Sequence, residues 1–246
     1  MIIMNNRTSD RKPTLPGSAA PSLSREEARQ VDDIAINQYR MPSIVLMENA
    51  GFGAARIIKE QAPSGKITIL CGSGNNAGDG YVIARHLQNY DMNAEVVSLA
   101  SEARLSGDSK TNFLIAKAAG IPIFFPECPN SLPDLLSSSS VIVDALLGTG
   151  ATGSPRGLFA DAIVMANQLA AYRFAIDLPS GLDCDSGIAS EPTFSAHHTI
   201  TFVAEKIGFK KNNANKYVGV ISIVDIGVPR KLLDNLLLSR DCRRQS

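Results

Sequence analysis

Carboxylates at the ends of apolar runs are the residues of this chain most suited to chemistry. Asp144 interrupts the run 141–146, and Asp177 stands near the end of the run 172–178. A carboxylate inside a buried strand must be hydrogen-bonded or held against a cation. One in a partly desolvated cleft serves as general acid or base, because burial and neighbouring charges move its pKa. Each is followed by a loop of small residues. After Asp144 come Gly148, Thr149, Gly150, Ala151, Thr152, Gly153 and Ser154, whose glycines let backbone amides approach a ligand while the hydroxyls add donors. After Asp177, Pro179 and Gly181 shape a turn that presents Ser180, and Asp183 and Asp185 read as turn residues. A third loop, 71–80, contains G-x-G-x-x-A at Gly72, Gly74 and Ala77 and crowds Asn75, Asn76 and Asp79 around Gly78. At a helix N-terminus this arrangement favours an anionic group such as a phosphate. The acidic ribose partner of a dinucleotide loop, expected about 20 residues on, is absent. A fourth loop offers Lys206, for which the sequence leaves two readings open, facing an anion or solvated. His86, His197 and His198 read as surface or packing residues. Neither a G-x-S-x-G elbow nor a P-loop lysine is present.

The elements that must position these loops follow from periodicity. Ser24 reads as a helix N-cap with Glu27 completing a capping box, ahead of Ala28, Val31, Ile34 and Ala35 at helical spacing. A second helix is expected over 44–59, after Pro42. Strands are expected over 66–70, 94–99, 122–125, 141–146, 172–178, 199–204 and 218–225. Between them the pattern predicts helices over 78–89, 108–119, 133–136 and 157–169, and a last helix opening at Pro229. Strands alternating with helical segments imply right-handed βαβ units, an α/β fold with a mostly parallel sheet. Ligands in such sheets bind beyond the carboxyl ends of the strands, where all four loops lie. Residues 1–22 read as a disordered tail and 23–246 as a single domain.

Composition narrows the function classes. The 246 residues carry 24 Lys and Arg against 24 Asp and Glu, which argues against a general nucleic-acid binder. No apolar run reaches the roughly 20 residues of a membrane span. With no Trp, nine Phe and five Tyr, the core is aliphatic, as in sheets covered on both faces. Cys71, Cys128, Cys184 and Cys242 show no metal-ligand spacing and read as reduced thiols in a cytoplasmic protein.

Taken in order, the loops resemble those of the NAD(P)H-hydrate epimerase family, the YjeF N-terminal domain. The matching pieces are LMENAG (46–51), GNNAGDG (74–80), VDALLGTG with the downstream GSPRG, IDLPSGLDCDSG (176–187), and TITF followed by Lys206 and Gly208. The resemblance covers about 23–236. It implies a Rossmann-like three-layer α/β/α sandwich, usually a homodimer, that interconverts the R and S hydrates of NADH and NADPH (NADHX and NADPHX). It further implies that Asn75, Asn76, Ala77, Gly78 and Asp79, with the loop from Gly148 to Ser154, hold the substrate. Potassium falls to Asn76, Asp144 and Ser180, and Asp177 contacts the substrate near its reacting ring. Ser73, Ala77 and Glu205 depart from the family's usual residues without removing a side chain to which chemistry is assigned. Many members carry a second, dehydratase domain, so here that activity is expected from a separate NAD(P)HX dehydratase. Competing readings are a non-catalytic dimeric scaffold and another nucleotide enzyme on the same fold.

Overall fold

Runs such as ITILC and VIVDA are apolar without alternation, the pattern of parallel strands buried on both faces. The computed structural model describes residues 22–245, with side chains through Arg240. The tail expected over 1–22 therefore falls, Ser22 excepted, outside the described residues. In chain order the elements are β1 (Ser22–Leu23), α1 (Arg25–Asn37), α2 (Ser43–Gln61), β2 (Ile67–Cys71), α3 (Asn75–Asn89), β3 (Ala94–Ser98), α4 (Gly107–Ala118), β4 (Ile123–Phe124), α5 (Leu132–Leu136), β5 (Val141–Ala145), α6 (Leu158–Gln168), β6 (Tyr172–Ile176), β7 (His198–Phe202), β8 (Glu205–Lys206), α7 (Asn215–Val218), β9 (Val220–Val224) and α8 (Arg230–Gln245).

Seven strands form one parallel sheet in the order β4-β3-β2-β5-β6-β7-β9. From β2 the chain winds outward to β3 and β4, then returns to place β5 on the other side of β2. That reversal is the switch point at which loops diverge and a crevice opens. Alternate strand residues feed two cores. Ile69, Val143 and Ile176 pack under α1 to α4 and α8, while Leu70, Ile142 and Ala175 pack under α5 and α6. The three-layer α/β/α expectation is met. No helix among the described residues is long and apolar enough to cross a membrane.

Three local details support the site. The capping box at α1 forms as expected: Glu27 N–H donates to Ser24 Oγ at 3.1 Å, and Ser24 N–H donates to Glu27 Oε2 at 2.8 Å. Such a cap is worth about 1 kcal/mol. The segment before it, β1, pairs in parallel with β8, setting Leu23 beside Lys206. Helices α2 and α3 approach so closely that a Cβ added at Gly51 would lie 2.4 Å from Val82 Cβ.

Most boundaries fall within two residues of expectation, and two differences change the local structure. Helix α3 starts at Asn75 rather than 78, so Asn75, Asn76 and Asp79 occupy its first turns. The strand expected over 218–225 is broken by Gly219 at φ +59, which leaves a helical turn before it and β9 after it.

Candidate functional site

The crevice at the switch point is a cleft of about 560 Å³, within the roughly 300–1,000 Å³ usual for small-molecule sites. Its floor is the loop after β5 and the end of β6, one wall is the start of α3, and the opposite wall is α1 with β1.

Asp177 sits at the floor. Its φ of +67 turns the chain sharply as it leaves β6, a conformation that Asp tolerates better than most residues. Its Oδ1 lies 2.9 Å from Lys206 Nζ, and its Oδ2 accepts from Thr149 N–H at 3.1 Å. Lys206 is 2% exposed, so it belongs to the site and not to the solvated surface. Its ammonium also donates to Thr201 Oγ1 at 2.8 Å and to the carbonyls of Phe202 and Ala204 at 3.2 and 3.4 Å. Four oxygen partners satisfy the amino group of so buried a lysine and fix the carboxylate in front of it. Val203, beside the lysine's acceptors, also holds a positive φ of +67, a strained value for a β-branched residue.

Asp144 lies deeper, fully buried at the end of β5. Burial pushes its carboxyl up to about 6, against the lowering pull of hydrogen bonds from Ser180 and Leu146. Ser180 N–H donates to Oδ2 at 2.8 Å, and Ser180 Oγ and Leu146 N–H donate to Oδ1 at 2.7 and 3.1 Å. Ser180 Oγ accepts in turn from Leu147 N–H at 3.0 Å. Asn76, 6% exposed, has neither amide oxygen nor amide nitrogen hydrogen-bonded among the described residues. Asn76 and Asp177 converge on Gly148, where an added Cβ would come within 3.3 Å of Asn76 Cβ and 3.4 Å of Asp177 Oδ2. Asp79, one turn along α3 from Asn76, is 8% exposed and lines the cleft. Its carboxyl is raised well above the usual range, first by burial and then by the charges of Asp177 and Asp32.

The loops singled out in the sequence do not all reach the cleft. Asn75, Asn76, Asp79, Gly148, Thr149, Gly150, Ala151 and Asp177 line it. Thr152 and Gly153 line a smaller neighbouring recess. Ala77 packs into the core and Gly78 against Met47, while Ser154 lines neither cavity. Asp144 and Ser180 lie beneath the floor. Asp183 acts as the turn residue it was read to be, with Oδ1 accepting from Ser186 N–H at 2.8 Å and from Asp185 N–H at 3.2 Å. His86 pairs with Glu48, and His198 with Ser222, both away from the cleft. Sequence reasoning missed the α1 wall: Arg29 and Asp32 line the cleft, as does Leu23. Asp32 follows Val31 in the apolar stripe, and an acid bordering a buried stripe was the available signal.

A parallel α/β sheet with a cleft at its switch point, floored by a carboxylate paired with a buried lysine, defines a small-molecule site of the Rossmann-like class. The family model described as YjeF-related protein N-terminus matches residues 43–208, and the chain belongs to that family. A protein of Rhodopirellula baltica named NAD(P)H-hydrate epimerase is 44% identical over 214 residues, 87% of each chain. One of Pirellula staleyi with the same name is 39% identical, over 86% of this chain and 95% of its own. A Moorella thermoacetica protein named bifunctional NAD(P)H-hydrate repair enzyme is 37% identical over 91% of this chain but only 44% of its own. The crystal structure of yeast YNL200c shares the fold, with a TM-score of 0.74 at 23% identity over 88% of this chain and 93% of that one. The matched family span begins after α1, so one wall of the cleft lies outside it.

Proposed function

We propose that this protein is an isomerase, an NAD(P)H-hydrate epimerase that interconverts the R and S hydrates of NADH and NADPH. The observation that carries the reading is Asp177, held between Lys206 Nζ and Thr149 N–H on the cleft floor, in a chain 44% identical to a protein of that name. In the hydrate a hydroxyl sits on the ring carbon next to the ring nitrogen. The nitrogen lone pair pushes into the ring as the carbon–oxygen bond breaks, and the departing oxygen takes a proton from the Asp177–Lys206 pair and leaves as water. The planar cation then takes up water on its opposite face, and the proton released returns to the pair. Lys206 Nζ, 2.9 Å from Asp177, lends the proton that the carboxylate passes to the departing oxygen and takes it back when water adds. General acid–base catalysis of this kind contributes roughly 10²–10⁴-fold.

Potassium is part of the proposal. The unpartnered amide of buried Asn76 and the buried Asp144 carboxylate with Ser180 make a set of hard oxygen donors suited to such an ion. When bound, it would offset the charge of the anionic substrate and of the cleft carboxylates. We further place the protein in the cytoplasm as a homodimer. Exposed Phe52 on α2 and exposed Val220 and Ile223 on edge strand β9 favour self-association. The bifunctional relatives favour a separate dehydratase as its functional partner.

The test starts from one purified hydrate epimer and follows the epimer ratio by chromatography. The protein should relax the ratio far faster than the spontaneous reaction. Asp177→Asn should slow the protein-dependent rate by about 10²–10⁴-fold while far-UV dichroism stays unchanged. A ratio relaxing no faster than the blank would reject the proposal.

A further inference from the structure

We propose that Arg25, the first residue of α1, is a positioning residue that holds the 148–153 loop in its substrate-binding shape. The proposal rests on the reading of the cleft given above. The loop has little to fix it from within. Three of its six residues are glycine, and among the described residues Ala151 N–H to Gly148 O, at 3.0 Å, is its one internal backbone bond. At Gly150 an added Cβ would meet nothing within 4 Å, so packing does not restrain that position. A segment so free loses much conformational entropy when it orders around a ligand.

Arg25 supplies the missing restraint. Its Nη1 donates to Thr149 O at 2.6 Å and also to Ala151 O. On the other side of the guanidinium, Nη2 donates to Asp183 Oδ2 at 2.7 Å, and Nε lies 3.8 Å from Asp185 Oδ2. The backbone N–H of Arg25 donates to Asp185 Oδ1 at 2.8 Å. The side chain is only 13% exposed. One planar fork therefore ties the loop after β5 to the turn after β6, and the capping box of α1 fixes where the fork starts. The same loop residue that gives Arg25 its carbonyl, Thr149, gives its N–H to Asp177. Arg25 touches no reacting atom on this account. It also explains the aspartates of the DCDSG segment, which the proposed chemistry does not use: they anchor the fork.

The experiment uses the full chain with Arg25→Met, Arg25→Lys, Asp183→Asn and the Arg25→Met/Asp183→Asn double variant. Amide hydrogen exchange over 148–153 requires no substrate, and steady-state kinetics on one hydrate epimer runs in parallel. Loss of charge-assisted bonds should speed exchange of the loop amides about tenfold in Arg25→Met and raise KM by a similar factor, with kcat within about threefold of wild type. Arg25→Lys should not rescue, because an ammonium lacks the fork that spans two carbonyls and a carboxylate. Asp183→Asn keeps the shape of the turn and should show the same pattern at about threefold, and the double variant should be no worse than Arg25→Met alone. If Arg25→Met folds poorly, Asp183→Asn carries the test. Wild-type exchange over 148–153 in Arg25→Met or in Asp183→Asn overturns the proposal, as does a fall in kcat at constant KM, the mark of a merely structural loss. A wild-type protein without epimerase activity would reject the epimerase reading while the exchange data still judged Arg25.

Discussion

Replacing Lys206 by methionine tests the central pair of the site. Methionine keeps the length and volume of the lysine stem but removes the charge and the donors. Three oxygens would lose a donor, Thr201 Oγ1 and the carbonyls of Phe202 and Ala204, and the Asp177 carboxylate would lose its counter-ion at 2.9 Å. Removing one partner of a buried pair costs about 3–5 kcal/mol, and because the 13% exposed Asp177 side chain can recruit water from the cleft, about 3 kcal/mol is expected. For a chain of this size that is a drop in Tm of about 6–12 °C. Asp177→Asn should cost less, because the ammonium keeps its three oxygen acceptors. In the Lys206→Met/Asp177→Asn double variant no charge is left unpaired, so stability should return to within about 1–2 kcal/mol of wild type. The kinetic order differs: each single variant should lose about 10²-fold or more in turnover, and the double should lose no more than the worse single. Calorimetry and the epimer-ratio assay read the two orders separately. A Lys206→Met protein that melts within about 2 °C of wild type, where about 6–12 °C is expected, would refute the burial argument.

Further expectations follow from other parts of the molecule. If potassium binds at Asn76, Asp144 and Ser180, the Tm of wild type should climb as potassium replaces sodium, by about 2.7 kcal/mol of stability at a hundredfold excess over Kd. Asn76→Ala should abolish that climb, and a wild-type Tm indifferent to the cation would count against the ion. Gly51→Ala forces a Cβ to within 2.4 Å of Val82, an overpacking that should cost about 1–3 kcal/mol as a lower denaturant midpoint at unchanged m. Val82→Ala in the same chain should return part of the loss. Asp183 has its carboxyl held below its ordinary 3.8, first by the Ser186 amide and also by the Ser186 hydroxyl, the Asp185 amide and Arg25. A depressed native pKa contributes stability above the unfolded value and loses it as pH falls through the native one. The Tm gap between wild type and Asp183→Asn should therefore hold steady from about pH 7 to about pH 5 and close only below about pH 4.

The sheet was legible because its strands are buried on both faces and their apolar runs stand out between helical segments. The cleft edge of the sheet was legible for the same reason: Asp144 and Asp177 break apolar runs at neighbouring strand ends. Helix α3 was read three residues short, since Asn75 and Asn76 are residues that favour caps and turns and so read as loop, although they form its first turn. Lys206 could not be decided locally. Its partner lies 29 positions earlier, and its burial depends on β7 delivering it to the floor beneath Asp177 and on β1 running alongside it. Arg25 and Asp32 were hidden differently. An amphipathic helix shows which face is apolar, but not that its border faces a cleft whose floor is built by loops more than a hundred positions downstream. Fragments of the site that lie within one βα unit were readable, and the wall contributed by the far end of the chain was not.

The tie between Arg25 and Asp183 spans 158 positions, and it sets an order on synthesis. At roughly 5–20 residues per second, a ribosome delivers the aspartate about 8–32 s after the arginine. Throughout that interval α1, at 13 residues, is near the lower limit for a helix standing alone in water, and α8, which packs beside it, has not been made. The central strands β2, β3 and β5 emerge and can pair in the meantime. The Arg25 tie therefore closes only after β6 has been made, and translation halted before residue 183 leaves the crevice without that tie.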